Sequence, residues 1–245
     1  MKPHVSILMV TSIDGRLHPS RFTASPDGTR RDWSGEYEKV HAALRANAWL
    51  VGRVTMAEMS KTGAHAPSGP WKVERPIHVA KTDAATFAVA LDPRGKLHFQ
   101  GAKLSGDHVI VVLGRDAADS HLAELAADGV SYIVSAGTEF DIPSLLDALV
   151  REFGITRLVV EGGAKTNGAF LAAQVVDELR VLVAPALDGA EQVQGIVDYR
   201  NGLAGVVRMQ FKSAAVLDHG VVQLAYTVLP PAGGISLFAD SPASS

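Results

Sequence analysis

The chain has 245 residues, of which 47% are hydrophobic and 20% are charged, and its formal net charge is −3. This composition predicts a folded globular protein with room for one large α/β domain or two small ones. The charge balance gives no reason to expect a nucleic-acid or anionic-membrane partner. The absence of cysteine excludes disulfides, thiolate metal ligands and cysteine nucleophiles.

Targeting and metal-binding signals are also missing from the sequence. No apolar run approaches the roughly 20 residues that span a bilayer, and the N-terminus leads directly into a strand pattern instead of a signal peptide. We therefore expect a cytoplasmic protein. The nine histidines show no H-E-x-x-H or comparable pair, so the spacing predicts no metal site.

The first predicted strand, residues 5–10, runs into a polar turn. Ligands of an open α/β sheet collect at the carboxyl ends of its strands, which makes Thr11, Ser12 and Asp14 candidates for substrate contact or chemistry. The alternative is that the Asp-Gly dipeptide at 14–15 is only a turn.

Residues 16–31 contain Pro19, Pro26 and Gly28 and show no periodicity, so they are predicted to form a loop. A helix is predicted after this loop, with Ser34 as its N-cap and its end near Asn47. Trp33 lies just before the predicted cap. It either stacks on a ring-shaped substrate or packs onto the helix as a hydrophobic staple.

Two later strands end at arginines. The strand at 48–51 is followed by Gly52, Arg53 and Thr55, where the guanidinium and the hydroxyl suit a phosphate, although a purely structural helix start is the alternative. The strand at 108–113 ends at Gly114 and Arg115. Further strands are predicted at 75–80, 87–91 and 130–134, and helices at 117–127 and 143–153.

The most informative stretch is LVVEGGAKTNGAFL, residues 158–171. A buried strand meets Glu161 and then the pair Gly162 and Gly163, after which the sequence can open as a helix. Free backbone N–H groups at such a helix start attract an anion, and a nucleotide pyrophosphate is the first candidate. The alternative is a turn whose glycines only supply unusual φ angles.

Two common nucleotide motifs do not fit this stretch. The Rossmann pattern G-x-G-x-x-G is absent. Gly163 and Gly168 have P-loop spacing, but Ala169 and Phe170 stand where Lys and Ser/Thr are required. The stretch therefore does not indicate a P-loop NTPase.

The C-terminal part reads as consecutive strands at 177–187, 206–216 and 221–229, with a hairpin signal at 218–220. Together with the earlier strand–helix units, this order predicts a single three-layer α/β domain over 1–229, with a mainly parallel sheet and an antiparallel C-terminal edge hairpin. Residues 230–245 are rich in Pro, Gly, Ser and Ala and are predicted to form a flexible tail.

Three segments carry a family resemblance: TSIDG at 11–15, AWLVGR at 48–53, and the run 158–187, which contains E-G-G, V-D-E-L and A-P. Together they resemble the reductase half of the riboflavin-biosynthesis deaminase-reductase family, whose fold is dihydrofolate-reductase-like. The similarity covers roughly 5–228. The deaminase motifs H-A-E and P-C-x-x-C are absent, so we expect a stand-alone reductase-type domain.

The sequence departs from the bifunctional enzymes at two points. Their A-D-D-P-x-L-T-x-R type segment, which contacts the substrate, is replaced here by residues 56–60 and a Gly/Pro loop. The lysine that they carry six residues before Asp14 is Leu8 in this chain. Cofactor use is therefore better supported than substrate identity.

The resemblance implies an NADPH-dependent reductase that passes hydride to C1′ of the open-chain ribose imine of a 5-amino-6-(5-phosphoribosylamino)uracil-type substrate, leaving a ribityl side chain. The alternatives are a related reductase of a pterin or other small C=N substrate, and a non-catalytic dinucleotide-binding protein. Homodimerisation through the late strands is implied as well.

The resemblance also assigns roles by position. Asp14 and Glu161 are implied as catalytic, although the general acid is left open between these two, Glu36 and water. Substrate contacts are expected from Thr11, Ser12 and Trp33. The implied cofactor-binding residues are Gly52, Arg53, Thr55, Gly114, Arg115, Gly162, Gly163, Ala164, Lys165, Thr166 and Asn167, with Arg115 paired to the 2′-phosphate of NADPH.

Overall fold

The structure is a computed structural model that describes residues 1–67 and 73–232. Its strands are β1 (His4–Thr11), β2 (Ala48–Gly52), β3 (Ile77–His78), β4 (Phe87–Asp92), β5 (Lys103–Leu104), β6 (Asp107–Leu113), β7 (Ser131–Val134), β8 (Arg157–Val160), β9 (Glu178–Val183), β10 (Arg208–Val216) and β11 (Val222–Leu229). Its α-helices are α1 (Arg30–Ala43), α2 (Arg53–Ser60), α3 (Asp119–Ala127), α4 (Ile142–Phe153) and α5 (Ala164–Ala172). Of the predicted flexible tail, 233–245 lie outside the described residues.

The strands form one sheet in the order β10-β11-β9-β1-β8-β2-β4-β6-β7-β3, with β5 paired to β6. From β9 to β7 every neighbouring pair along this order is parallel. The β10–β11–β9 edge is antiparallel, and so is the short strand β3 at the other edge. The predicted α/β fold with a mainly parallel sheet and an antiparallel C-terminal hairpin is confirmed.

Helices cover both faces of the sheet, because successive strand residues point to opposite sides. On one face, residues such as Ile7 and Val89 pack against α4 and α5 in a continuous core. On the other face, Val111 packs with α2 and α3, and Leu8 packs with α1. The three-layer arrangement leaves the carboxyl ends of the parallel strands as the open edge where ligands bind.

Helix α1 begins four residues before the predicted cap at Ser34. Thr29 is the true N-cap: its side chain accepts from the Asp32 N–H at 3.4 Å, while the Asp32 carboxylate accepts from the Thr29 N–H at 2.9 Å. This reciprocal capping box satisfies two N–H groups at once, whereas Ser34 lies within the helix. The prediction of a cap at Ser34 was wrong, and Trp33 therefore lies inside α1.

None of the helices in the described ranges is long and apolar enough to cross a membrane.

Candidate active site

The predicted Glu-Gly-Gly turn lies at the carboxyl end of β8, between β1 and β2. The Glu161 N–H donates to the Leu50 carbonyl at 2.9 Å, and the Gly52 N–H donates to the Gly162 carbonyl at 3.0 Å. These bonds extend the pairing of β8 with β2 beyond the last strand residue. They hold the start of α5 beside the start of α2.

The two glycines of the turn have different roles. Gly162 has φ +89°, and a Cβ there would lie 2.9 Å from Cε of Met9, so both conformation and packing require glycine. Gly163 has φ −71°. A Cβ at Gly163 would find no atom of the described residues within 4 Å. Gly163 therefore borders open space that a ligand can use.

Two helix N-termini open onto one groove of about 580 Å³ at this edge. Helix α2 follows Gly52 and helix α5 follows Gly163, and no side chain in the described ranges caps either start. The first N–H groups of both helices are thus available to an anion, and both helix dipoles favour negative charge there.

Most of the predicted cofactor-binding residues line this groove, namely Gly52, Arg53, Thr55, Gly163, Ala164, Lys165 and Thr166. Its lining includes two cationic side chains, and none of the described residues that form it carries a carboxylate. Sequence reasoning missed several walls of the groove, including Leu17, His18, Leu91, Pro93, Phe140 and Gln194. Leu91 lies near the end of β4 and the others lie in loops, and their neighbours in space are distant in sequence.

Three predicted cofactor residues lie behind the wall of the groove. Gly162 packs on Met9, as described above. Asn167 is fully buried and its Nδ2 donates to the Ile196 carbonyl at 2.8 Å. Gly114 allows close backbone approach, since a Cβ there would lie 2.5 Å from the Pro93 carbonyl oxygen. These positions shape the groove through packing and backbone approach.

Arg115 lies farther along the same edge. Phe140 is shared between the groove and a cavity of about 590 Å³ that Arg115 lines. Pro93 is shared between the groove and another small cavity, of about 540 Å³, which is lined by Arg94. The Arg115 guanidinium is 62% exposed and lies 3.3 Å from the Asp116 carboxylate. Arg94, which sequence reasoning missed, forms no ion pair with the described residues.

A second cavity, of about 730 Å³, lies on the other side of Gly163. The walls that it shares with the groove are Leu17, His18, Val54, Thr55 and Gly163. Two ligands placed in the two spaces would therefore meet at the backbone of Gly163. Such an arrangement suits the transfer of a hydride between a cofactor and a substrate.

Glu161 lines this second cavity and is largely buried. Burial raises the pKa of the Glu161 carboxyl, and the Tyr37 hydroxyl and the His41 ring oppose only part of that effect. Nε2 of His41 lies 3.4 Å from Oε1 of Glu161. Burial and the neighbouring Glu161 also raise the pKa of Tyr37. A carboxyl with a raised pKa can hold a proton and donate it.

Basic side chains also line the second cavity. Arg30 and Arg31, in the first turn of α1, line it together with His18 and Ser34. Sequence reasoning placed both arginines in a loop and gave them no role. The signal available was the Arg-Arg pair after Thr29, where the capping box begins α1 and places both arginines in its first turn.

The polar turn after β1 is organised around Asp14. Its carboxylate accepts from the Ser12 hydroxyl at 2.6 Å and from the Asp188 and Gly189 N–H groups at 3.0 and 2.9 Å. These donors hold the pKa of Asp14 well below its usual range. Thr11 donates to the Arg16 carbonyl at 3.0 Å. Thr11, Ser12 and Asp14 thus fix the loop that leads to Leu17 and His18.

Trp33 is 3% exposed and belongs to the core beneath α1. Its Nε1 donates to the His219 carbonyl at 3.3 Å, and its ring packs near Phe22. It is absent from the linings of the groove and of the second cavity as the structure describes them. This position matches the packing alternative and leaves no face for stacking on a substrate.

Known proteins resemble the chain over nearly its full length. The family model described as the RibD C-terminal domain matches residues 3–223. A 2,5-diamino-6-ribosylamino-4(3H)-pyrimidinone 5′-phosphate reductase from Methanothermobacter thermautotrophicus is 26% identical over 236 residues, covering 93% of this chain and 99% of the relative. A reductase of the same name from Aquifex aeolicus is 28% identical over 199 residues, covering 80% and 83%.

Solved structures show the same fold at lower identity. A pyrimidine reductase-like protein from Corynebacterium diphtheriae superposes with a TM-score of 0.66 at 19% identity, covering 93% of this chain and 92% of that one. A bifunctional deaminase/reductase from Thermotoga maritima gives 0.61 at 20% identity, covering 94% of this chain and 57% of that one. With a match that spans residues 3–223, the chain belongs to the RibD C-terminal domain family.

Proposed function

We propose that this protein is an NADPH-dependent reductase of a ribosylaminopyrimidine phosphate in riboflavin biosynthesis. The observation that carries the proposal is the junction at Gly163, where an anion-binding groove meets a second cavity that holds a buried acid. Relatives that bear the name of such a reductase support the choice of reaction.

The groove suits a dinucleotide. The bare N–H groups of α2 and α5, with Arg53 and Lys165, match the charge of a pyrophosphate. The nicotinamide would supply the hydride beside Gly163, which has no side chain of its own to separate the groove from the second cavity. The choice of NADPH over NADH would depend on Arg94 or Arg115, which lie along the edge that continues from the groove.

The second cavity suits the substrate. Arg30 and Arg31 are placed to bind its 5′-phosphate, while Glu161 lies near the junction. As C1′ of the open-chain imine gains the hydride, the C=N π pair moves onto nitrogen, and Glu161 donates a proton there. The product is the ribityl amine, and solvent returns the proton to the Glu161 carboxylate.

Asp14 has a positioning role in this proposal, together with Thr11 and Ser12. Its carboxylate is ionised and already accepts three hydrogen bonds. An ionised acid has no proton to donate, so the loop contacts account for Asp14 and leave proton transfer to Glu161.

We also propose a homodimer, and the exposed edge strand β10 supports it. Every residue of β10 is exposed, including Phe211 at 63% and Val216 at 82%. Apolar side chains on an open strand edge favour pairing with another chain. Light scattering would give the mass, and Phe211→Arg should shift a dimer toward monomer. A cytoplasmic location stays a prediction.

The decisive experiment measures binding and turnover separately. Quenching or enhancement of NADPH fluorescence reports whether the groove binds the cofactor. NADPH oxidation is then followed with the diamino pyrimidinone phosphate, with its deaminated uracil counterpart, and with a dihydropterin. We expect one of the two ribosylamino compounds to yield a product with two additional hydrogens.

Each other outcome points elsewhere. Cofactor binding with turnover of the pterin alone would indicate a different reductase. Binding without turnover of any compound would indicate a non-catalytic dinucleotide-binding protein. Failure to bind NADPH would refute the assignment of the groove.

A further inference from the structure

Three histidines and two carboxylates meet on the outer side of α3, a region that the proposed reductase chemistry does not use. His121 and Glu124 lie one turn apart on α3, and His98 comes from the segment between β4 and β5. Nδ1 of His98 lies 2.6 Å from Oε1 of Glu124, and the rings of His98 and His121 are 5.3 Å apart. One nitrogen or oxygen atom from each of the three residues lies within 4.8 Å of the other two.

His121 is the unexplained member of this group. It is only 7% exposed, and its Nε2 has no hydrogen-bond partner among the described residues. The ring as a whole makes no side-chain hydrogen bond within the ranges that the structure describes. A buried polar ring without a partner is unfavourable, and such groups are rare unless they bind something.

We propose that His98, His121 and Glu124 form a binding site for a zinc ion. Two imidazoles and one carboxylate are a donor set that suits Zn²⁺ and related borderline ions, whereas Mg²⁺ and Ca²⁺ require mainly oxygen ligands. Ligand atoms about 2.0–2.2 Å from a tetrahedral zinc lie about 3.4 Å apart, so the His98–Glu124 contact would open by less than about 1 Å.

The remaining two residues support this site from outside. Nδ1 of His65 lies 3.3 Å from Oε1 of Glu124, and Nε2 of His65 lies 3.1 Å from Oδ1 of Asp128. Carboxylate and imidazole partners of this kind orient metal ligands and raise their affinity. His65 therefore orients Glu124 and closes the outer side of the site.

The ion would connect α3 to the loop that follows β4. Gly95 in that loop packs directly on the ring of His121, since a Cβ there would lie 3.0 Å from its Cδ2. The same loop carries Pro93, which lines the groove, and Arg94. None of the three proposed zinc ligands is among the described residues that line the groove or the second cavity. The site would thus be a structural link, separate from the reductase chemistry.

The test uses untagged protein freed of metal with a chelator. Zinc is added under equilibrium dialysis, and the bound metal is measured by elemental analysis. We expect one zinc per chain, and cobalt should give the visible absorption of a tetrahedral nitrogen–oxygen site. Magnesium and calcium in excess should not compete. Zinc should also raise the melting temperature, because it binds the folded state.

His98→Ala and Glu124→Gln are the decisive variants, because His98 is only partly buried and Gln preserves the volume of Glu. Removing a residue that only hydrogen-bonds to a metal ligand lowers metal affinity by about 10- to 100-fold. Loss of a direct ligand should therefore lower the affinity for zinc by at least about 100-fold. His4→Ala, at an exposed histidine on β1, is the matched control and should bind zinc normally.

Circular dichroism establishes that each variant is folded before its affinity is compared. Wild-type protein that binds less than one zinc, or that binds magnesium equally well, would overturn the proposal. Folded His98→Ala and Glu124→Gln proteins that bind zinc as tightly as the wild type would overturn it too. The readouts do not depend on turnover, so the result is independent of the reductase assignment.

Discussion

Replacing Gly163 by leucine tests the junction between the two cavities directly. Gly163 has φ −71°, and its added Cβ would meet no described atom within 4 Å. A leucine side chain would therefore start into the space between the groove and the second cavity without a clash at its Cβ. The fold should persist while the nicotinamide and C1′ of the imine are held apart.

The two expected magnitudes differ greatly. A glycine replaced at a compatible φ changes the free energy of unfolding by about 1 kcal/mol or less. A displacement of only about 1 Å between reacting atoms costs about 100-fold in rate. We therefore expect Gly163→Leu to lower kcat/KM by at least about 100-fold, which corresponds to about 2.7 kcal/mol of transition-state stabilisation.

Thermal melting gives the stability, and NADPH oxidation gives kcat/KM on the same preparation. Gly63→Leu is the matched control, because a Cβ added at Gly63 would also meet no described atom within 4 Å, yet Gly63 lines neither cavity as the structure describes them. If Gly163→Leu stays folded and keeps kcat/KM within a few-fold of the wild type, the two ligands do not meet at this backbone and the reasoning fails.

Three further predictions concern charge. Either Arg94 or Arg115 binds the 2′-phosphate in this proposal, and replacing that residue by alanine should weaken the binding of NADPH by about 1.5–3 kcal/mol, roughly 10- to 150-fold. The affinity for NADH should stay unchanged in the same fluorescence titrations. Equal loss of affinity for both cofactors would show that the residue does not bind the 2′-phosphate. Arg31→Ala should raise KM for the phosphorylated substrate but not for its dephosphorylated form in steady-state assays. Glu161→Gln should lower kcat by about 10²–10⁴-fold and abolish the loss of activity that the wild type shows as pH rises past the raised pKa of Glu161. Folding raises the pKa of Glu161, so the protonated carboxyl stabilises the folded protein at low pH. Chemical denaturation should therefore show that the free energy of unfolding of the wild type falls, relative to that of Glu161→Gln, as pH rises from the usual carboxyl range through the raised pKa.

Local signals predicted the two helix starts at the centre of the groove. A buried strand that ends in glycine and restarts as a helix is readable within a dozen residues, and both Gly52 and Gly163 stand at the predicted helix starts. The sequence could not separate the roles of the paired glycines. Gly162 is fixed by contact with Met9, a residue on another strand.

A local capping signal that sequence reasoning overlooked explains the residues that it misplaced around α1. Trp33 looked available because Ser34 resembled a cap, but the Thr29–Asp32 capping box begins the helix earlier and turns the indole into the core. The same change places Arg30 and Arg31 on the second cavity. The misplaced cap is therefore the reason that Trp33 was assigned to substrate binding and that Arg30 and Arg31 were assigned to no site.

The histidine cluster was invisible in the sequence for a different reason. His121 and Glu124 have a spacing that occurs by chance on many helices, and His98 lies more than 20 residues earlier in the chain. Only the pairing of β4 with β6 and the packing of α3 bring them together. Metal sites assembled from separate elements carry no local spacing signal.

The departures from the bifunctional enzymes fall on the substrate side of the junction. Leu8, which replaces their lysine, lines the second cavity, and so do Glu58 and Met59 from the segment that differs. The groove retains its glycines and Arg53. In the proposed function, Arg30 and Arg31 on α1 are the arginines of the second cavity that would neutralise the phosphate of the substrate. Cofactor binding and substrate choice are thus set by different elements, and the two ribosylaminopyrimidine phosphates have to be compared directly.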